Sequence, residues 1–258
     1  MEYKTIVIEK EKCVCRVFLN RPDSLNALDM GMRAELSDCI DEVANDPEIR
    51  AMILSGKGRA FCAGGDITTM QQEFQPLAGR KRLKDLHAWL KKLINLEIPV
   101  IAAVNGAAIG AGFNLALACD IVIASEKAKF CQSFLKIGLV PDSAGLYVLP
   151  RIVGLAKAKE LMFTAKMIDS SEAKNLGLVN QVLPEAELLT VANSLAQELA
   201  NGPTGAIGLT KRILNLSLSS DLESILELEA CAQDLCFRTE NFEEGKRAFF
   251  EKRKPVFK

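Results

Sequence analysis

Two loops rich in small residues are the first places in the sequence where chemistry could occur. Ala63-Gly64-Gly65-Asp66 and Gly110-Ala111-Gly112 each follow an apolar run that is typical of a buried strand. Glycine and alanine let backbone N–H groups approach a ligand closely. Two such donors from different strand ends would form an oxyanion hole, which stabilises the negative oxygen of an enolised carbonyl. Spacing alone leaves an equally acceptable alternative, which is two tight turns that bind nothing.

Side chains used by most catalytic sites are scarce in this chain. His87 is the single histidine, so a metal site built from several histidines is impossible and a histidine triad would have to use this residue. It lies in KRLKDLHAWLKKLINL, a helical pattern with five lysines and arginines, which favours a solvated or rim histidine. The eight cysteines lack zinc-ligand spacing and indicate small buried hydrophobes in a reducing compartment. We therefore expect no metal site.

The charge balance and the hydropathy pattern exclude several classes of partner. The 258 residues include 32 Lys+Arg and 33 Asp+Glu, which leaves no broad basic field for a nucleic-acid backbone. No uncharged apolar run of about eighteen residues is present, and MEYKTIVIEKEK lacks the features of an export signal. We expect a cytoplasmic protein with no nucleic-acid or membrane partner. Neither glycine-rich loop continues as a nucleotide-binding motif would, which argues against a nucleoside triphosphatase or a dehydrogenase.

The elements that position the two loops follow from hydrophobic periodicity. The strand-like runs are TIVIEK, CVCRVFL, AMILSG, PVIAAV, IVIAS and AKFCQ. Asp29 is predicted to be the N-cap of the amphipathic helix MGMRAELSDCIDEVAND. Strand, glycine-rich loop and helix follow one another at least twice, which predicts an α/β protein with a mostly parallel sheet. Beyond about residue 184 the pattern is almost wholly helical, and Gly202-Pro203 marks the predicted boundary.

Four longer segments resemble one known superfamily. They are RPDSLNALD, GRAFCAGGDI, PVIAAVNGAAIGAGFNLALACDIVIAS and EGKRAFFEKRKPVF, in this order. The chain resembles the crotonase superfamily of enoyl-CoA hydratases and isomerases over essentially its whole length. The resemblance implies a spiral of ββα units in residues 1–201 and a helical oligomerisation region in residues 202–258. It also implies a homotrimer or a dimer of trimers and an acyl-CoA substrate. No separate cofactor is expected, because coenzyme A is part of that substrate.

The same resemblance assigns roles to individual residues. The backbone N–H groups of Gly65 and Ala111 would form the oxyanion hole around the thioester carbonyl. Residues 59–66 would line the path of the adenine and pantetheine, and Lys252 would help to bind the CoA of a neighbouring subunit. The expected substrate-binding residues are Ala63, Asp66, Ile67, Gly112, Asn114, Phe134, Leu139 and Lys252. For Asp66, shaping of its own loop by hydrogen bonds is the local interpretation.

The chain departs from the hydratase pattern at two decisive positions. Crotonase-type hydratases use two glutamates to position and activate water, and the matching residues here are Asn114 and Phe134. Neither side chain exchanges a proton near neutral pH, so water addition by the two-glutamate route is not available. Asn114 could hold a water or a substrate group, or it could satisfy backbone groups in the first turn of its helix.

A single carboxyl group, that of Asp142, remains as the candidate acid and base. Its segment, SFLKIGLVPDSAGLYVLPR, resembles the phenylacetate-pathway isomerases, although Ala144 replaces a common glycine. Those enzymes rearrange a ring-epoxide CoA thioester and shift the double bond of 3-enoyl-CoA substrates. Local sequence favours Asp142 as an N-cap of the following helix. Burial in an apolar cleft would instead raise its pKa and suit it to proton transfer. The expected lining of that cleft is Phe113, Phe134, Leu139 and Val140.

The predicted function is therefore acyl-CoA isomerisation, with Asp142 moving a proton between C2 and C4 of the acyl chain. Two alternatives stay open: a hydratase or lyase that activates water with Asp142 alone, and a non-catalytic member that only binds acyl-CoA. Trp89 and the basic residues from Arg80 to Lys84 could cover the acyl pocket, although a solvated helix face is the favoured interpretation. Asp120 is assigned to structure, and Tyr147 to packing.

Overall fold

A computed structural model describes residues 3–70 and 77–258 of the chain. The strands are β1 (Ile6–Glu11), β2 (Val14–Leu19), β3 (Ala51–Gly56), β4 (Ala60–Cys62), β5 (Val100–Val104), β6 (Ala107–Ile109), β7 (Ile121–Ser125), β8 (Lys129–Cys131), β9 (Ile168–Asp169) and β10 (Gln181–Leu183). The helices are α1 (Met30–Asn45), α2 (Ala78–Ile94), α3 (Ala111–Leu117), α4 (Gly145–Thr164), α5 (Ser170–Asn175), α6 (Leu188–Ala200), α7 (Thr204–Ser217), α8 (Leu222–Phe237) and α9 (Glu240–Glu251). Short 3₁₀ turns cover Pro22–Ser24, Ile67–Met70, Ser133–Ile137 and Glu185–Glu187.

The strands form two sheets of unequal size. The larger sheet has the order β1-β2-β3-β5-β7-β10, and the smaller has the order β4-β6-β8-β9. β1 pairs with β2 and β8 with β9 in antiparallel fashion, whereas every other described pair is parallel. Parallel strands must be joined by crossovers, and here the crossovers carry the helices that cover the larger sheet. The predicted α/β architecture with a mostly parallel sheet is confirmed.

The smaller sheet was not predicted from the sequence. GKGRAFCAGGDI and GAAIGAG are absent from the strand-like runs of the sequence, yet each contains a three-residue strand, β4 and β6. These strands pair in parallel, with Ala60 opposite Ala107. Three residues are too few to show the alternation that marks a strand in sequence. Because the two strands are neighbours, the small-residue loops that follow them emerge side by side.

Helix α1 begins where the sequence predicts. The carboxylate of Asp29 accepts a hydrogen bond from the Met32 N–H at 2.8 Å, which satisfies one of the unpaired donors of the first turn. Helical spacing then places one row of side chains in the core, namely Met32, Arg33, Leu36, Cys39, Ile40 and Val43. One member of this buried row is an arginine, which hydrophobic periodicity alone does not explain.

Helix α6 covers the other face of the larger sheet. Its buried residues Leu188, Ala192, Ala196 and Ala200 recur every four residues and pack against strand residues such as Ile53. Alanine at successive turns lets the helix lie close to the sheet. The larger sheet is therefore covered on both faces, as a mostly parallel sheet requires.

The C-terminal helices predicted beyond residue 184 are present as α6 to α9. The buried Lys211 on α7 donates to the Asp120 carboxylate at 2.7 Å and to the Ile98 carbonyl at 3.1 Å. Asp120 also accepts from the Val100 N–H at 2.7 Å, in keeping with its predicted structural role. Helix α8 has no buried residue in the single chain. The division at residue 202 stays a prediction.

Most of the thiols are packed inside the protein, as predicted. Five of the eight cysteines are buried, and Cys231 is exposed on α8. Over residues 3–70 and 77–258, no helix has the combination of length and apolarity that crossing a bilayer would require.

The anchor of α7 on the core gives a stability prediction. Replacing Lys211 with Met keeps the aliphatic stem but leaves Asp120 without its cation, so we expect the free energy of unfolding to fall by about 2 kcal/mol. Urea denaturation followed by circular dichroism measures this change. Arg212→Met is the matched control, because Arg212 is exposed and its ion pair with Glu97 is long at 3.9 Å. We expect that control to change stability by less than about 0.5 kcal/mol. Equal effects in the two variants would contradict the assignment.

Candidate active site

The two small-residue loops lie against each other, and glycine makes the contact possible. A Cβ atom on Gly112 would lie 2.2 Å from the Cys62 carbonyl oxygen, closer than any side chain tolerates. A Cβ atom on Gly64, whose φ is +99°, would lie 2.8 Å from the Ile109 carbonyl oxygen and 3.5 Å from the Ala111 nitrogen. Glycine is required at both positions, at Gly64 for its left-handed backbone as well. The ends of β4 and β6 therefore bring Gly65 and Ala111 together.

The N–H groups of Gly65 and Ala111 are both free to bind a ligand. Hydrogen bonds fix the chain on either side of Gly65, because Leu28 donates to the Gly64 carbonyl at 2.7 Å and Asp66 donates to the Leu28 carbonyl at 3.3 Å. Ala111 is the first residue of α3, where a backbone N–H has no partner within the helix. Within the described part of the chain, no acceptor bonds to either N–H. Two adjacent free donors are what an oxyanion hole needs.

Asp66 shapes the loop that presents Gly65. One carboxylate oxygen accepts from the Thr68 hydroxyl at 2.6 Å and from the Thr68 N–H at 3.1 Å, and the other accepts from Arg21 at 2.9 Å. The hydrogen bonds from Thr68, together with those from Arg21, hold the pKa of Asp66 below its usual value despite burial. Both oxygens are thus engaged by protein donors, as expected for a residue that shapes its loop.

Asn114 connects α3 to the loop that carries Asp142. Its side chain is 1% exposed, its amide nitrogen donates to the Asp142 carbonyl at 2.8 Å, and its amide oxygen accepts from Gln132 at 2.7 Å. A Cβ atom on Gly145 would lie 2.2 Å from that amide nitrogen, so glycine is needed where the loop crosses Asn114. The amide serves the backbone of a distant loop rather than the first turn of its own helix.

The expectation that Asp142 caps the next helix is wrong. Helix α4 begins at Gly145, its N-cap residue is Ala144, and no side chain caps it. Ser143 and Ala144 adopt left-handed φ values of +51° and +61°, which displace Asp142 from the capping position. The Asp142 carboxylate instead accepts a hydrogen bond from the Ser143 hydroxyl at 2.9 Å. Two consecutive left-handed residues other than glycine store strain of the kind found at functional sites.

The electrostatic surroundings of Asp142 suit proton transfer. Burial raises the pKa of its carboxyl group above the usual value, and this effect exceeds the opposing hydrogen bond from Ser143 and the fields of Arg33, His87 and Arg82. His87 itself is exposed on α2, at the rim where the sequence predicted it. The site therefore holds a half-buried carboxyl group beside cations contributed by α1 and α2.

The apolar residues expected at the site have three different environments. Phe134 is buried, and its ring comes within 3.7 Å of the place where a Cβ atom on Gly110 would lie, next to the oxyanion loop. Leu139, Val140 and Ile67 are exposed. Phe113 does not line the site as expected, because its ring packs against Phe130 in the core at a centroid distance of 5.1 Å.

Lys252 and Trp89 lie away from the oxyanion loops, whereas Ala63 is part of one of them. Lys252 follows α9 with a φ of +54° and is exposed, so its expected role toward a neighbouring subunit depends on assembly. Ala63 is half-buried and donates its N–H to the Leu25 carbonyl at 2.9 Å, within the loop that precedes Gly65. Trp89 is buried in the core rather than on a solvated helix face. Residues 71–76, which precede the basic residues from Arg80 to Lys84, lie outside the described part of the chain.

The sequence and the fold of this chain both match those of a known enzyme family. Residues 9–258 match the family described as enoyl-CoA hydratase/isomerase. The chain belongs to this family. The enoyl-CoA hydratase/isomerase from Cupriavidus metallidurans CH34 superposes with a TM-score of 0.95 at 37% identity, covering 100% of this chain and 97% of that one. An enoyl-CoA hydratase from Bacillus anthracis superposes with a TM-score of 0.94 at 32% identity, covering 99% of each chain. The crotonase fold expected from the sequence is confirmed.

Hydratases and isomerases of the family are almost equally similar to this chain. A short-chain-enoyl-CoA hydratase of Clostridium acetobutylicum is 40% identical, covering 98% of this chain and 97% of that protein. A 1,2-epoxyphenylacetyl-CoA isomerase of Escherichia coli K12 is 38% identical with the same coverage. Overall identity reflects the shared fold, so the reaction has to be argued from the residues of the site.

Sequence reasoning missed Arg33. It occupies the buried row of α1 three residues before Leu36 and seven before Ile40, and it is close enough to Asp142 to affect its pKa. A charged residue within a row that helical spacing assigns to the core was the available signal. Arg82 was named only as part of a solvated face, yet it donates to the Thr69 hydroxyl at 2.8 Å, just beyond the oxyanion loop.

The strained backbone after Asp142 gives a second prediction. Ala144→Gly should raise the free energy of unfolding by about 0.5–1 kcal/mol, because glycine adopts the φ of +61° without a steric penalty. Thermal and urea unfolding measure the change. Ala34→Gly is the control, since Ala34 is exposed in the interior of helix α1, and glycine there should cost about 1 kcal/mol. A loss of stability in Ala144→Gly would show that the left-handed conformation stores no strain.

Proposed function

We propose that the protein is an acyl-CoA isomerase that converts 3-enoyl-CoA to 2-enoyl-CoA, or rearranges a ring-epoxide CoA thioester by the same acid–base group. One observation carries the proposal: the half-buried Asp142 carboxyl group, with its raised pKa, while Asn114 and Phe134 stand where the hydratase glutamates would be. The free N–H groups of Gly65 and Ala111 support a thioester carbonyl as the group that the site activates.

The reaction starts at the thioester carbonyl. Hydrogen bonds from Gly65 and Ala111 to the carbonyl oxygen stabilise the negative charge that develops when the C2 proton leaves. The Asp142 carboxylate takes that proton, and the electron pair delocalises over the carbonyl and the C3=C4 bond as a dienolate. The Asp142 carboxylic acid then returns a proton to C4, which leaves the double bond between C2 and C3. No proton is gained or lost overall, so one carboxyl group is sufficient.

Water addition makes a different demand on the site. It needs a group to orient and deprotonate water as well as a group to protonate the carbon. Both polar atoms of the Asn114 amide are engaged by Asp142 and Gln132, and Phe134 cannot hold a proton. These contacts favour isomerisation over hydration. The 40% identity with a hydratase keeps hydration by Asp142 alone as the second candidate.

The decisive experiment offers the protein both substrate types. With 3-hexenoyl-CoA, an isomerase produces the absorbance of a conjugated enoyl thioester, and with crotonyl-CoA a hydratase removes it. We expect the first signal to dominate in kcat/KM. Rapid loss of absorbance from crotonyl-CoA without isomerisation of 3-hexenoyl-CoA would replace the proposal with the hydratase alternative. Tight CoA-thioester binding without turnover would indicate a non-catalytic member.

Removal of the carboxyl group tests its role directly. Asp142→Asn keeps the shape of the side chain but cannot exchange a proton, so kcat for isomerisation should fall by about 10²–10⁴. Stopped-flow or steady-state absorbance assays with 3-hexenoyl-CoA measure kcat. Asp23→Asn is the matched control, because Asp23 is exposed in the turn before α1 and should leave kcat unchanged. Full activity in Asp142→Asn would remove Asp142 from the mechanism.

The raised pKa predicts the acid limb of the pH profile. Asp142 must be ionised to accept the C2 proton, so kcat/KM should rise as the pH rises through its pKa. Because burial raises this pKa, the midpoint should lie above the value of about 4 that is typical of aspartate. Ser143→Ala removes a hydrogen bond that lowers the pKa and should move the midpoint to still higher pH. A midpoint at or below about 4, or a downward shift in the variant, contradicts this account.

Assembly into a trimer or a dimer of trimers is the second part of the proposal. Helix α8 buries no side chain in the single chain, and it exposes Leu222, Leu226 and Leu235. Exposed leucines on a helix that buries none of its own side chains favour contact with another protein surface. Lys252 is proposed to reach the CoA of the neighbouring subunit. The site residues on one chain are sufficient for the chemistry, and no cofactor besides the substrate's coenzyme A is proposed.

A further inference from the structure

The buried arginine on α1 has no protein partner in the described part of the chain. Arg33 is 6% exposed, and within residues 3–70 and 77–258 no carboxylate or carbonyl accepts a hydrogen bond or forms an ion pair with its side chain. Its Nε atom is sealed from solvent and unsatisfied. Buried charges in proteins are paired as a rule, because an unpaired one is costly to desolvate.

Other buried or half-buried cations in the described part of the chain have protein partners. Lys211 is paired with Asp120. Arg16 also has a sealed Nε atom, but its terminal nitrogens bind Glu9 at 3.3 Å and Glu11 at 3.2 Å. Arg33 differs in having no partner among residues 3–70 and 77–258, which points to a bound ligand as its partner.

The position of Arg33 places that partner in the acyl-CoA site. Arg33 lies one helical turn after Asp29, to whose carbonyl it donates its N–H at 3.1 Å, and the preceding Leu28 donates to the Gly64 carbonyl at 2.7 Å. The start of α1 therefore lies against the oxyanion loop, and the charges of Arg82 and Asp142 act on the guanidinium. Cys62 ends β4, directly before the loop of Gly65, and Asp142 is the proposed acid and base. The charge of Arg33 acts on the Asp142 carboxyl group, but no ion pair within 4 Å joins the two side chains. Arg33 therefore lies near the candidate site without being neutralised by the Asp142 carboxylate.

The local charge favours an anion. Arg82 is held by Thr69 rather than by a carboxylate, and Asp29 is paired with Arg21 at 3.2 Å. Both guanidinium groups act electrostatically on the Asp142 carboxylate, with His87 at the rim. Burial lowers the pKa of Arg33, and repulsion by the like charge of Arg82 lowers it further. A second negative charge would relieve this repulsion.

We infer that Arg33 binds a carboxylate at the far end of the acyl group, so that the preferred substrates are thioesters of dicarboxylic acids. The guanidinium fork matches a carboxylate with two parallel hydrogen bonds, which gives geometric specificity as well as charge. This inference rests on the acyl-CoA site of the proposed function and names its substrate class. A plain hydrocarbon chain would leave the buried cation unsatisfied beside it.

Binding of saturated thioesters tests the inference without requiring turnover. Dissociation constants are measured by calorimetry for matched pairs, succinyl-CoA with butyryl-CoA, glutaryl-CoA with pentanoyl-CoA, and adipyl-CoA with hexanoyl-CoA. We expect the dicarboxylic member of at least one pair to bind about tenfold more tightly or better. Because these ligands cannot isomerise, failure of the proposed reaction leaves this result interpretable.

Variants assign the preference to one side chain. Arg33→Met should abolish the preference for the dicarboxylic thioester while retaining affinity for its uncharged partner. Arg33→Lys should keep part of the preference. If the Met variant fails to fold, the reduced preference of Arg33→Lys is the test of the inference. Arg16→Met is the matched control, because it removes an arginine with a sealed Nε atom that already has carboxylate partners. The inference is overturned if no pair shows a preference, or if the preference persists in Arg33→Met.

Discussion

The close contact between β4 and α3 is the constraint on which the site depends. Gly112 lies so near the Cys62 carbonyl that a Cβ atom would come within 2.2 Å of it, and Gly64 approaches Ile109 and Ala111 almost as closely. Backbone packed at this distance cannot move apart without losing the parallel pairing of β4 and β6. The free N–H groups of Gly65 and Ala111 are consequently fixed relative to each other before any ligand binds. Preorganised donors of this kind need no rearrangement when charge develops.

The loop of Asp142 is held in place by interactions that offset its own strain. Left-handed conformations at Ser143 and Ala144 are unfavourable for residues with side chains, and each costs about 1–3 kcal/mol. The amide of Asn114 compensates by donating to the Asp142 carbonyl, and Gly145 permits the close crossing. The position that carries a glutamate in hydratases, by the resemblance to them, thus has a positioning role here. The proposed chemistry needs one carboxyl group, and Asn114 helps to place it.

The whole molecule is nearly neutral, whereas positively charged side chains are concentrated around Asp142. The whole chain is nearly neutral, with a formal net charge of −1, and it has one histidine. At the site, the described side chains of Arg33 and Arg82 carry two positive charges near the one negative charge of Asp142. Cations close to the carboxyl group partly counter the effect of burial on its pKa, which keeps a proton shuttle possible near neutral pH. A buried guanidinium without a carboxylate partner among the described residues is difficult to explain by stability alone.

The sequence by itself determined the elements whose signals are local. Periodicity located β1, β2, β3, β5 and β7, the α1 N-cap at Asp29 and the helices beyond residue 184, because burial of one face leaves its mark on consecutive residues. The resemblance pointed to Gly65, Ala111 and Asp142. Only the tertiary structure showed β4 and β6, which are too short for any pattern, and the bond between Asn114 and Asp142, which are 28 residues apart. It also placed Phe113 in the core and Arg33 near enough to Asp142 for its charge to act on that carboxyl group. Such contacts depend on how distant elements pack, and side-chain spacing along one element does not encode them.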